Sequence, residues 1–475
     1  MIYYILAFLH FTLFSWAFYN ILYFGVKPSK SLSWILIAFL FPFVGVFIFI
    51  LFGINRRKIK FFELKETKKR KNYIKETFKD RKDNKIAEEL ESEKAKKIAH
   101  LIYKNTSISL TKKNKVTVLK NGKETFESIF EAIENATDFI HLQYYIIEEG
   151  EIFSKFIHLL KQKRKENVEV RILYDALGSF SLSKKTKQEL KNAGIEIYPE
   201  TPLRYGYFLF TLNYRNHRKI CVIDNKIGFT GGVNITDEYI TDDDFLGIWQ
   251  DAHVKIEGEA VFNLHKSFIK DFYYATEIDL GKDKKYTTCH TASNDTKIQI
   301  VSSGPDYEQS VVMQQYLSFI NLAETSICVL NPYFIPTFSI LEAFKIAALS
   351  GIKVTLLLPK KGDSKIATYS MYSYFEILLK AGVDIYLRDD FAHSKVIFID
   401  DEIASIGSTN FDCRSFEHNY ELNAILYNKE TTAEIRQEFD DKKNKAQKVH
   451  LDEFLKRSKT QKTLERLSRF FSPLL

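Results

Sequence analysis

Two segments of the chain carry the same spaced set of polar residues, and this repetition restricts the possible folds more than any other feature. The pattern H-x-K-x-x-x-x-D-x-x-x-x-x-x-G-[GS]-x-N occurs twice, at His217, Lys219, Asp224, Gly231, Gly232 and Asn234 and at His393, Lys395, Asp400, Gly407, Ser408 and Asn410. If each residue type fills about one position in twenty, five fixed positions match by accident on the order of 10⁻⁴ times in a chain of this length. Two accidental matches then have a probability on the order of 10⁻⁸. The chain is therefore expected to contain two related structural units.

Shorter parallels precede the two motifs in the same order. Residues 136–147 match 324–335, residues 168–179 match 352–363, and residues 193–199 match 381–387. In each half, apolar strand-like runs alternate with stretches of helical periodicity, which predicts a sheet flanked by helices. The expected fold class is α/β, with two tandem domains over 112–288 and 289–475 that meet across a pseudo-twofold interface.

Each motif has the residues needed for phosphoryl chemistry. The apolar run in each copy predicts a short strand, and histidine and lysine, two residues apart, share one face of it. Histidine is suited to act as a nucleophile or acid near neutral pH, whereas lysine and asparagine suit phosphate oxygens. Two copies therefore predict a two-step displacement at a phosphodiester, in which one imidazole attacks phosphorus and the other transfers protons.

The same residues predict that no metal ion and no cofactor takes part. Two lysines and two asparagines are sufficient to hold the charge that develops on the phosphoryl oxygens. Asp224 and Asp400 are counted with the catalytic motif residues, but their place at the strand ends favours a supporting role toward a histidine or a lysine.

The N-terminal segment predicts a membrane anchor. Residues 2–26 and 31–54 contain no Asp, Glu, Lys or Arg. Because about 20 apolar residues cross a bilayer as a helix, we expect a two-helix transmembrane hairpin over 1–54. Nine Lys or Arg residues follow within 55–71, which places the main body on the cytoplasmic side.

Residues 55–111 predict a charged juxtamembrane linker that contains one amphipathic helix. Its apolar residues recur at helical spacings, namely Ile86, Leu90, Ala95, Ile98, Leu101 and Ile102. Either its basic residues lie against anionic headgroups or the linker is simply solvated. A second stretch, 201–216, is both aromatic and basic, and is expected to be a membrane-entering lip around the site.

The flanks of both motifs resemble the bacterial cardiolipin synthase branch of the phospholipase D superfamily. The similar segments are NYRNHRKICVIDNKIGFTGGVNITDEY, WQDAHVKIEG, HSKVIFIDDEIASIGSTNFDCRSFEHNYELN and the C-terminal RFFSPLL. The resemblance implies a phosphatidyltransferase of the cytoplasmic membrane that converts two phosphatidylglycerol molecules into cardiolipin and glycerol. It also implies His217 as the nucleophile and His393 as the acid and base, an assignment that the near-symmetry of the motifs leaves open.

The resemblance and the repeat also suggest which residues contact the substrate. The expected set is Asn234, Asn410, Tyr144, Tyr333 and Glu421, whereas Tyr145 is expected in the core. The expected partners are phosphatidylglycerol and other anionic membrane lipids, with no nucleic acid, and the oligomeric state is open.

Three related activities and one different class compete with this interpretation. A hydrolytic phospholipase D, a phosphatidylserine synthase and a nuclease would use the same motifs, and a membrane scaffold would have lost its activity. The net charge of +8 suits anionic lipid and nucleic acid equally. The apolar N-terminus disfavours the nuclease, and two complete motifs disfavour the scaffold.

Overall fold

A computed structural model describes residues 1–24, 28–53, 85–200, 214–242 and 245–472. The helices, labelled α1 to α16 in chain order, are Ile2–Phe24, Pro28–Leu40, Val44–Ile48, Glu93–Thr106, Gly122–Glu134, Glu151–Lys165, Lys184–Asn192, Glu259–Thr276, Lys284–Thr287, Val311–Leu322, Phe338–Leu349, Lys365–Lys380, Cys413–Glu417, Lys429–Asn444, Leu451–Leu455 and Lys459–Arg469. Shorter helical turns cover Phe49–Gly53, Lys85–Glu89, Asp237–Tyr239 and Leu280–Lys282.

The strands form two mixed sheets. Strands β1 to β15 are Asn114–Leu119, Phe139–Tyr144, Glu169–Asp175, Glu196–Glu200, Ile220–Ile223, Ile227–Gly231, His253–Gly258, Lys297–Ser303, Ser326–Leu330, Lys353–Pro359, Asp384–Arg388, Val396–Ile399, Ile403–Gly407, Glu421–Tyr427 and Gln447–Lys448. The first sheet has the order β1-β7-β6-β5-β2-β3-β4, and the second has the order β15-β11-β10-β9-β12-β13-β14-β8.

The two sheets repeat one topology. Strands β2, β3 and β4 run parallel, as do β9, β10 and β11, and each motif strand, β5 or β12, lies antiparallel to the first of these. Hairpin partners and a final antiparallel strand complete each sheet in the same order, with β15 as an addition to the second. This arrangement confirms the prediction of an α/β fold with two tandem sheet domains.

The apolar interior forms three main layers. One buried cluster lies on the outer face of the first sheet, and a second lies on the outer face of the second sheet. The third contains residues of both halves, including Ile220, Val254, Ile300 and Val396. Helix α8 follows the first motif strands and contacts β4, β5, β7 and also β8 of the second sheet. The halves therefore share a core, and this fixes the relative position of the two motifs.

The predicted amphipathic helix of the linker exists, and its apolar face packs against the protein. Helix α4, Glu93–Thr106, buries Ala95, Ile98 and Ile102 in the outer core of the second half. Its N-cap residue Ser92 accepts a hydrogen bond from Ala95 N at 3.3 Å. Periodicity identified the apolar face of this helix. The surface against which that face packs lies more than 180 residues further along the same chain.

The two-helix transmembrane hairpin is a wrong prediction in its second member. Within the described residues, one helix, over Ile2–Tyr23, is long and apolar enough to cross a membrane. The second apolar segment is interrupted after Leu40, where Pro42 cannot donate a backbone hydrogen bond. The following turn brings Gly45 back against α2 so closely that an added Cβ would lie 2.1 Å from the carbonyl oxygen of Ile37.

Several predicted features lie outside the described residues. These are the basic cluster over 56–71, most of the aromatic and basic stretch over 201–213, and the last three residues, 473–475. Arg215 and Asn216, at the end of the second stretch, are described and are buried.

Candidate active site

Both motif histidines stand at one edge of their sheet because of strand direction. Strand β5 is antiparallel to β2, so it begins where the parallel strands β2, β3 and β4 end. His217 immediately precedes this beginning, and His393 precedes β12 in the second sheet in the same way. We call this side of each sheet the catalytic edge.

Short backbone bridges join the two catalytic edges. The amide of His217 donates to the carbonyl of Tyr420 at 2.9 Å, and the amide of His393 donates to the carbonyl of Gln250 at 2.7 Å. In return, Tyr420 N donates to Arg215 O, and Gln250 N donates to Phe391 O. Each motif segment thus pairs with the segment that follows the motif of the other half, which places the histidines together across the interface.

The carboxylate that faces each histidine comes from the opposite half. Nδ1 of His217 lies 3.1 Å from Oε1 of Glu421, which follows the second motif. Nδ1 of His393 lies 2.6 Å from Oδ2 of Asp251, which follows the first motif. Hydrogen bonding of Nδ1 to a carboxylate holds the ring and leaves Nε2 as the atom that can react. The site is therefore complete only when both halves are present.

Glu421 and Asp251 are held differently because the second motif has Ser408 where the first has Gly232. Ser408 donates its hydroxyl to Glu421, and Asn419 donates to the same carboxylate at 3.3 Å. At the equivalent position in the first motif, a Cβ on Gly232 would lie 2.2 Å from Oδ1 of Asp251. The shorter aspartate thus passes through the space that a serine side chain would fill.

Burial and the neighbouring lysines favour the neutral form of both imidazoles. Burial, followed by the charge of Lys219, lowers the pKa of His217. Burial and Lys395 lower the pKa of His393 to about 3. A neutral imidazole with a carboxylate on Nδ1 has a lone pair available at Nε2, as a nucleophile requires.

The two lysines lie close enough to affect one another. Burial and then Lys395 lower the pKa of Lys219 well below its usual value. Burial also lowers the pKa of Lys395 to about 8, although Asp251 opposes this shift. Lys395 Nζ lies 2.8 Å from Nδ1 and 3.1 Å from Nε2 of His393. Two lysines beside two imidazoles form a site suited to an anionic group.

Asn234 lies close to His393, and Asn410 is the equivalent residue of the second motif. Asn234 donates to the hydroxyl of Tyr239 at 3.4 Å, and that hydroxyl lies 3.2 Å from Nδ1 of His393. Asn410 is 8% exposed, and its Oδ1 is buried with no hydrogen-bond partner among the described residues. Both amides therefore have polar atoms near the motif strands.

The two motif aspartates lie at the other end of their strands. Asp224 accepts hydrogen bonds from the backbone amides of Thr137, Asp138 and Phe139, at 2.8 to 2.9 Å. Asp400 accepts in the same way from the amides over 324–326. Each aspartate lies seven positions after its histidine, roughly 23 Å along a strand. The structure therefore does not bring the aspartates together with the histidines.

The two aspartates also have an unusual backbone. Asp224 and Asp400 both adopt φ of 53°, and the residue after each also has a positive φ. Aspartate and asparagine tolerate this left-handed conformation better than most residues with a side chain. Each aspartate thus forms the turn of the motif hairpin and ties that turn to the start of the neighbouring parallel strand.

The tyrosines are arranged differently from the expectation. Tyr144 is 2% exposed and packs in the outer core of the first half, and its hydroxyl has no hydrogen-bond partner among the described residues. Tyr145, expected in the core, has its ring centroid 5.0 Å from that of His217 and 5.4 Å from Lys219 Nζ. Tyr333 donates its hydroxyl to Asp363. The repeat register, which aligns Tyr145 with Tyr333, was the available signal.

Further residues contact His393 or support His217 without having been singled out as site residues. Tyr239, Trp249 and Phe391 surround the ring of His393, with centroids at 6.1, 4.9 and 5.6 Å. Beside His217, Arg215 makes a buried ion pair with Asp175 at 2.7 Å. His253, just after Asp251, is fully buried and has no hydrogen-bond partner among the described residues. The described residues contain no cluster of three or more His, Cys, Asp or Glu that could hold a metal ion.

The comparisons with known proteins agree with this geometry. A sequence profile described as "Cardiolipin synthase, PLD-like domain" matches residues 129–269 and 316–443. Each matched segment contains one motif strand pair and its catalytic edge. The fold and the site therefore define a protein with two phospholipase D-like domains.

Curated relatives narrow this class. Cardiolipin synthase of Geobacillus sp. (strain WCH70) is 40% identical over 94% of this chain and 89% of its own length. The enzyme of the same name from Halalkalibacterium halodurans is 39% identical with the same coverage. The chain belongs to the cardiolipin synthase family of phospholipase D-like proteins.

A solved structure supports the fold. The crystal structure of phosphatidylserine synthase from Haemophilus influenzae Rd KW20 matches with a TM-score of 0.59 at 14% identity. The match covers 80% of this chain and 98% of that chain. At this identity the likeness concerns the fold alone.

Proposed function

We propose that this protein is a phosphatidyltransferase that makes cardiolipin and glycerol from two molecules of phosphatidylglycerol. The observation that carries the proposal is the crossed pairing of His217 with Glu421 and of His393 with Asp251, beside two lysines. The names of the relatives, which are cardiolipin synthases, supply the substrate class.

In the first step, Nε2 of His217 attacks the phosphorus of a phosphatidylglycerol. A phosphorus–nitrogen bond forms, the bond from phosphorus to the glycerol oxygen breaks, and His393 gives that oxygen a proton. Lys219 and Lys395 hold the charge on the phosphoryl oxygens, and Asn234 and Asn410 add neutral polar contacts. The nucleophilic role of His217 comes from the family resemblance. The geometry does not distinguish the two histidines, because each has a carboxylate at Nδ1.

The acid role of His393 requires a proton that burial disfavours in the empty site. Lys395 is the second cause, after burial, of its lowered pKa. A bound phosphodiester carries a negative charge that offsets this lysine, so substrate binding favours the protonated ring. In the second step, neutral His393 takes the proton of a second phosphatidylglycerol hydroxyl, whose oxygen attacks phosphorus and releases His217.

Six side chains receive supporting roles in this proposal. Glu421 orients His217 instead of contacting the substrate, and Tyr145 and Tyr333 line the cleft at equivalent points of the two halves. Tyr144 supports the core beneath them. Asp224 and Asp400 keep the motif hairpins in place from the far end of each strand.

We also propose a division of the chain and a membrane location. Residues 1–54 attach the protein to the cytoplasmic membrane, 55–111 form the connection, and 112–288 and 289–475 form the two catalytic domains. The apolar helix α1 supports attachment, and nine basic residues within 55–71 support domains on the cytoplasmic side. Cysteine labelling from each side of the membrane tests this location and decides whether the chain is multi-pass.

Product analysis by mass spectrometry tests the reaction. The detergent-purified protein, given phosphatidylglycerol, is expected to yield cardiolipin and glycerol in equal amounts, without added metal and in the presence of chelator. His217→Ala and His393→Ala should each lower the rate by at least about 10³-fold, because both steps of the reaction use both histidines. Phosphatidic acid as the main product would instead show a hydrolase.

A trapping experiment separates the two histidines. His393→Ala retains the proposed nucleophile, so it should accumulate an acid-labile phosphatidyl adduct on His217 when the leaving alcohol is made a good one. Labelled adduct on residue 393 in the His217→Ala protein, with none on residue 217 in the other variant, would reverse the assignment.

A further inference from the structure

Four apolar side chains of the two catalytic domains project into solvent, two from loops and two from the first turns of helices. Phe180, Phe338, Phe245 and Ile366 are 80%, 75%, 55% and 48% exposed. Single exposed apolar residues are common on soluble proteins, but a group around one opening marks an interaction site. We call these four residues the apolar collar.

Strand direction places the collar at the catalytic edges. Phe180 follows β3, Phe338 follows β9 and Ile366 follows β10, so all three lie beyond the carboxyl ends of parallel strands. Phe245 lies on the segment before Asp251, where Leu246 O accepts a hydrogen bond from Phe391 N at 3.2 Å. The histidines stand at these same edges.

Contacts connect the collar loops to the site. Ser179, next to Phe180, donates its hydroxyl to Tyr145 O at 3.0 Å, and the ring of Tyr145 contacts His217. Asp363, three residues before Ile366, accepts from the hydroxyl of Tyr333. The segments that carry Phe180 and Ile366 are therefore connected to the cleft-lining tyrosines Tyr145 and Tyr333.

Lysines flank the collar in both halves. Lys184 and Lys185 follow Phe180, and Lys361 and Lys365 lie beside Ile366; all four are exposed and make no ion pair with a described residue. Lys361 Nζ also lies 5.0 Å from the ring centroid of Phe245. Carboxylates offset part of this charge, since Asp389 pairs with the neighbouring Lys360 at 3.3 Å.

Apolar side chains with basic neighbours match the chemistry of an anionic bilayer surface. Aromatic and aliphatic side chains enter the boundary between headgroups and acyl chains, and lysines remain at the level of the phosphates. The pattern occurs in both halves, on the segments that follow β3 and β10 at the catalytic edges.

We propose that the apolar collar and its flanking lysines dock the catalytic domains on an anionic phospholipid surface, with the cleft open toward the headgroups. The proposal rests on the proposed function in taking a membrane lipid as the substrate. Docking by this face moves phosphodiesters into the reach of the histidines without extracting whole lipids into water.

Spin labels on the full-length protein in vesicles of phosphatidylcholine and phosphatidylglycerol test the orientation. Single cysteines replace Phe180, Phe338 or Leu349 in a Cys289→Ser background, since the other three cysteines are buried. Leu349 is the matched control, because it is 70% exposed at the opposite end of the helix Phe338–Leu349, roughly 16 Å away.

Labels at 180 and 338 are expected to collide with dissolved oxygen and to be shielded from a water-soluble nickel complex, whereas the label at 349 meets the nickel complex freely. Equal nickel accessibility at all three positions would overturn the proposal. Vesicles of phosphatidylcholine alone should weaken the shielding at 180 and 338.

Kinetics separate docking from the chemistry. The double variant Phe180→Ser with Phe338→Ser should raise the apparent KM for phosphatidylglycerol in vesicles by roughly tenfold or more, with little change for a short-chain phosphatidylglycerol dispersed as monomers. An equal rise in apparent KM for both substrates, or no rise for either, would overturn the proposed docking role of the apolar collar. A wild-type protein that makes cardiolipin from neither substrate would instead refute the proposed function.

Discussion

His217 and His393 each depend on a carboxylate that approaches from the other half of the molecule. Glu421 and Asp251 occupy equivalent positions after their own motifs, yet each reaches across the interface. A buried imidazole without such a partner would lose both its orientation and the stabilisation of its charged form. At the scale of single residues, the crossed pairs are what makes two similar motifs into one site.

Neutral replacement of either carboxylate should therefore slow the reaction strongly. We expect Glu421→Gln and Asp251→Asn to lower kcat by roughly 10²-fold or more with little change in KM, because the ring remains but its imidazolium loses support. Steady-state rates of cardiolipin formation measure this effect.

Ser408→Gly is the matched control for this prediction. It removes a donor to Glu421 but installs the residue that the first motif has at the equivalent position, Gly232. Its loss should stay below about tenfold, the cost of one hydrogen bond. A Glu421→Gln enzyme as active as the Ser408→Gly enzyme would refute the orienting role.

The lowered pKa of Lys395 makes a prediction about alkaline pH. Burial lowers this pKa to about 8 in the empty site, so the free protein loses the cation as pH rises through that value. Binding of an anionic phosphodiester needs the cation, and kcat/KM should fall above pH about 8. Because bound phosphate stabilises the protonated lysine, kcat should fall only at higher pH. Coincident profiles for both parameters would contradict this account.

At the scale of secondary structure elements, helix α4 is fastened to the second motif hairpin. Lys94 Nζ lies 2.6 Å from Oδ2 of Asp400, 3.0 Å from Glu324 and 3.2 Å from Glu402. Burial alone would lower the pKa of Lys94, but these carboxylates raise it. Burial alone would raise the pKa of Asp400, but Lys94 and the backbone amides lower it to about 2. A helix from before the first domain therefore supports the second.

Removal of this cation should destabilise the protein. Lys94→Met is expected to lower the free energy of unfolding by about 3 kcal/mol, because the buried carboxylate of Asp400 loses its ionic partner. Lys96→Met is the matched control on the same helix, since Lys96 pairs with the exposed Glu93 and its loss should leave the free energy of unfolding nearly unchanged. Denaturant unfolding in detergent measures both.

The acid dependence of this effect follows from the direction of the pKa shift. The folded-state pKa of Asp400 is below its ordinary value, so its contribution is present above pH about 4 and is lost as pH falls toward 2. The difference between wild type and Lys94→Met should shrink over that window. A difference that is constant with pH would assign the effect to packing.

At the scale of the whole molecule, the core that both halves share is expected to make them unfold as one cooperative unit. Leu264 on α8 lies in the cluster that also contains strands of the second sheet. We expect Leu264→Ala to cost about 2–5 kcal/mol and to speed hydrogen exchange in β2 and β9 together. Exchange in β2 that rises while β9 stays protected would show two independent domains.

The repeat and its chemistry could be predicted because both are local in sequence. The spacing within each motif specifies a strand, a turn and the side chains on one face, and 3.6-residue periodicity identified the apolar face of α4. The prediction of tandem α/β domains was correct for this reason. Tyr145 was misplaced although the repeat register aligned it with Tyr333, since adjacent strand-end residues point in opposite directions and one position decides the face.

Local patterns in the chain specify two motif hairpins, two sheets of the same topology and an apolar N-terminal helix. Three further features arise only in the folded chain, namely the crossed carboxylates, the docking of α4 on the second half and the interruption of the second apolar segment after Leu40. Each of these depends on contacts between residues far apart in the chain, or on how a turn packs. A local sequence pattern does not specify which distant surface a side chain will contact.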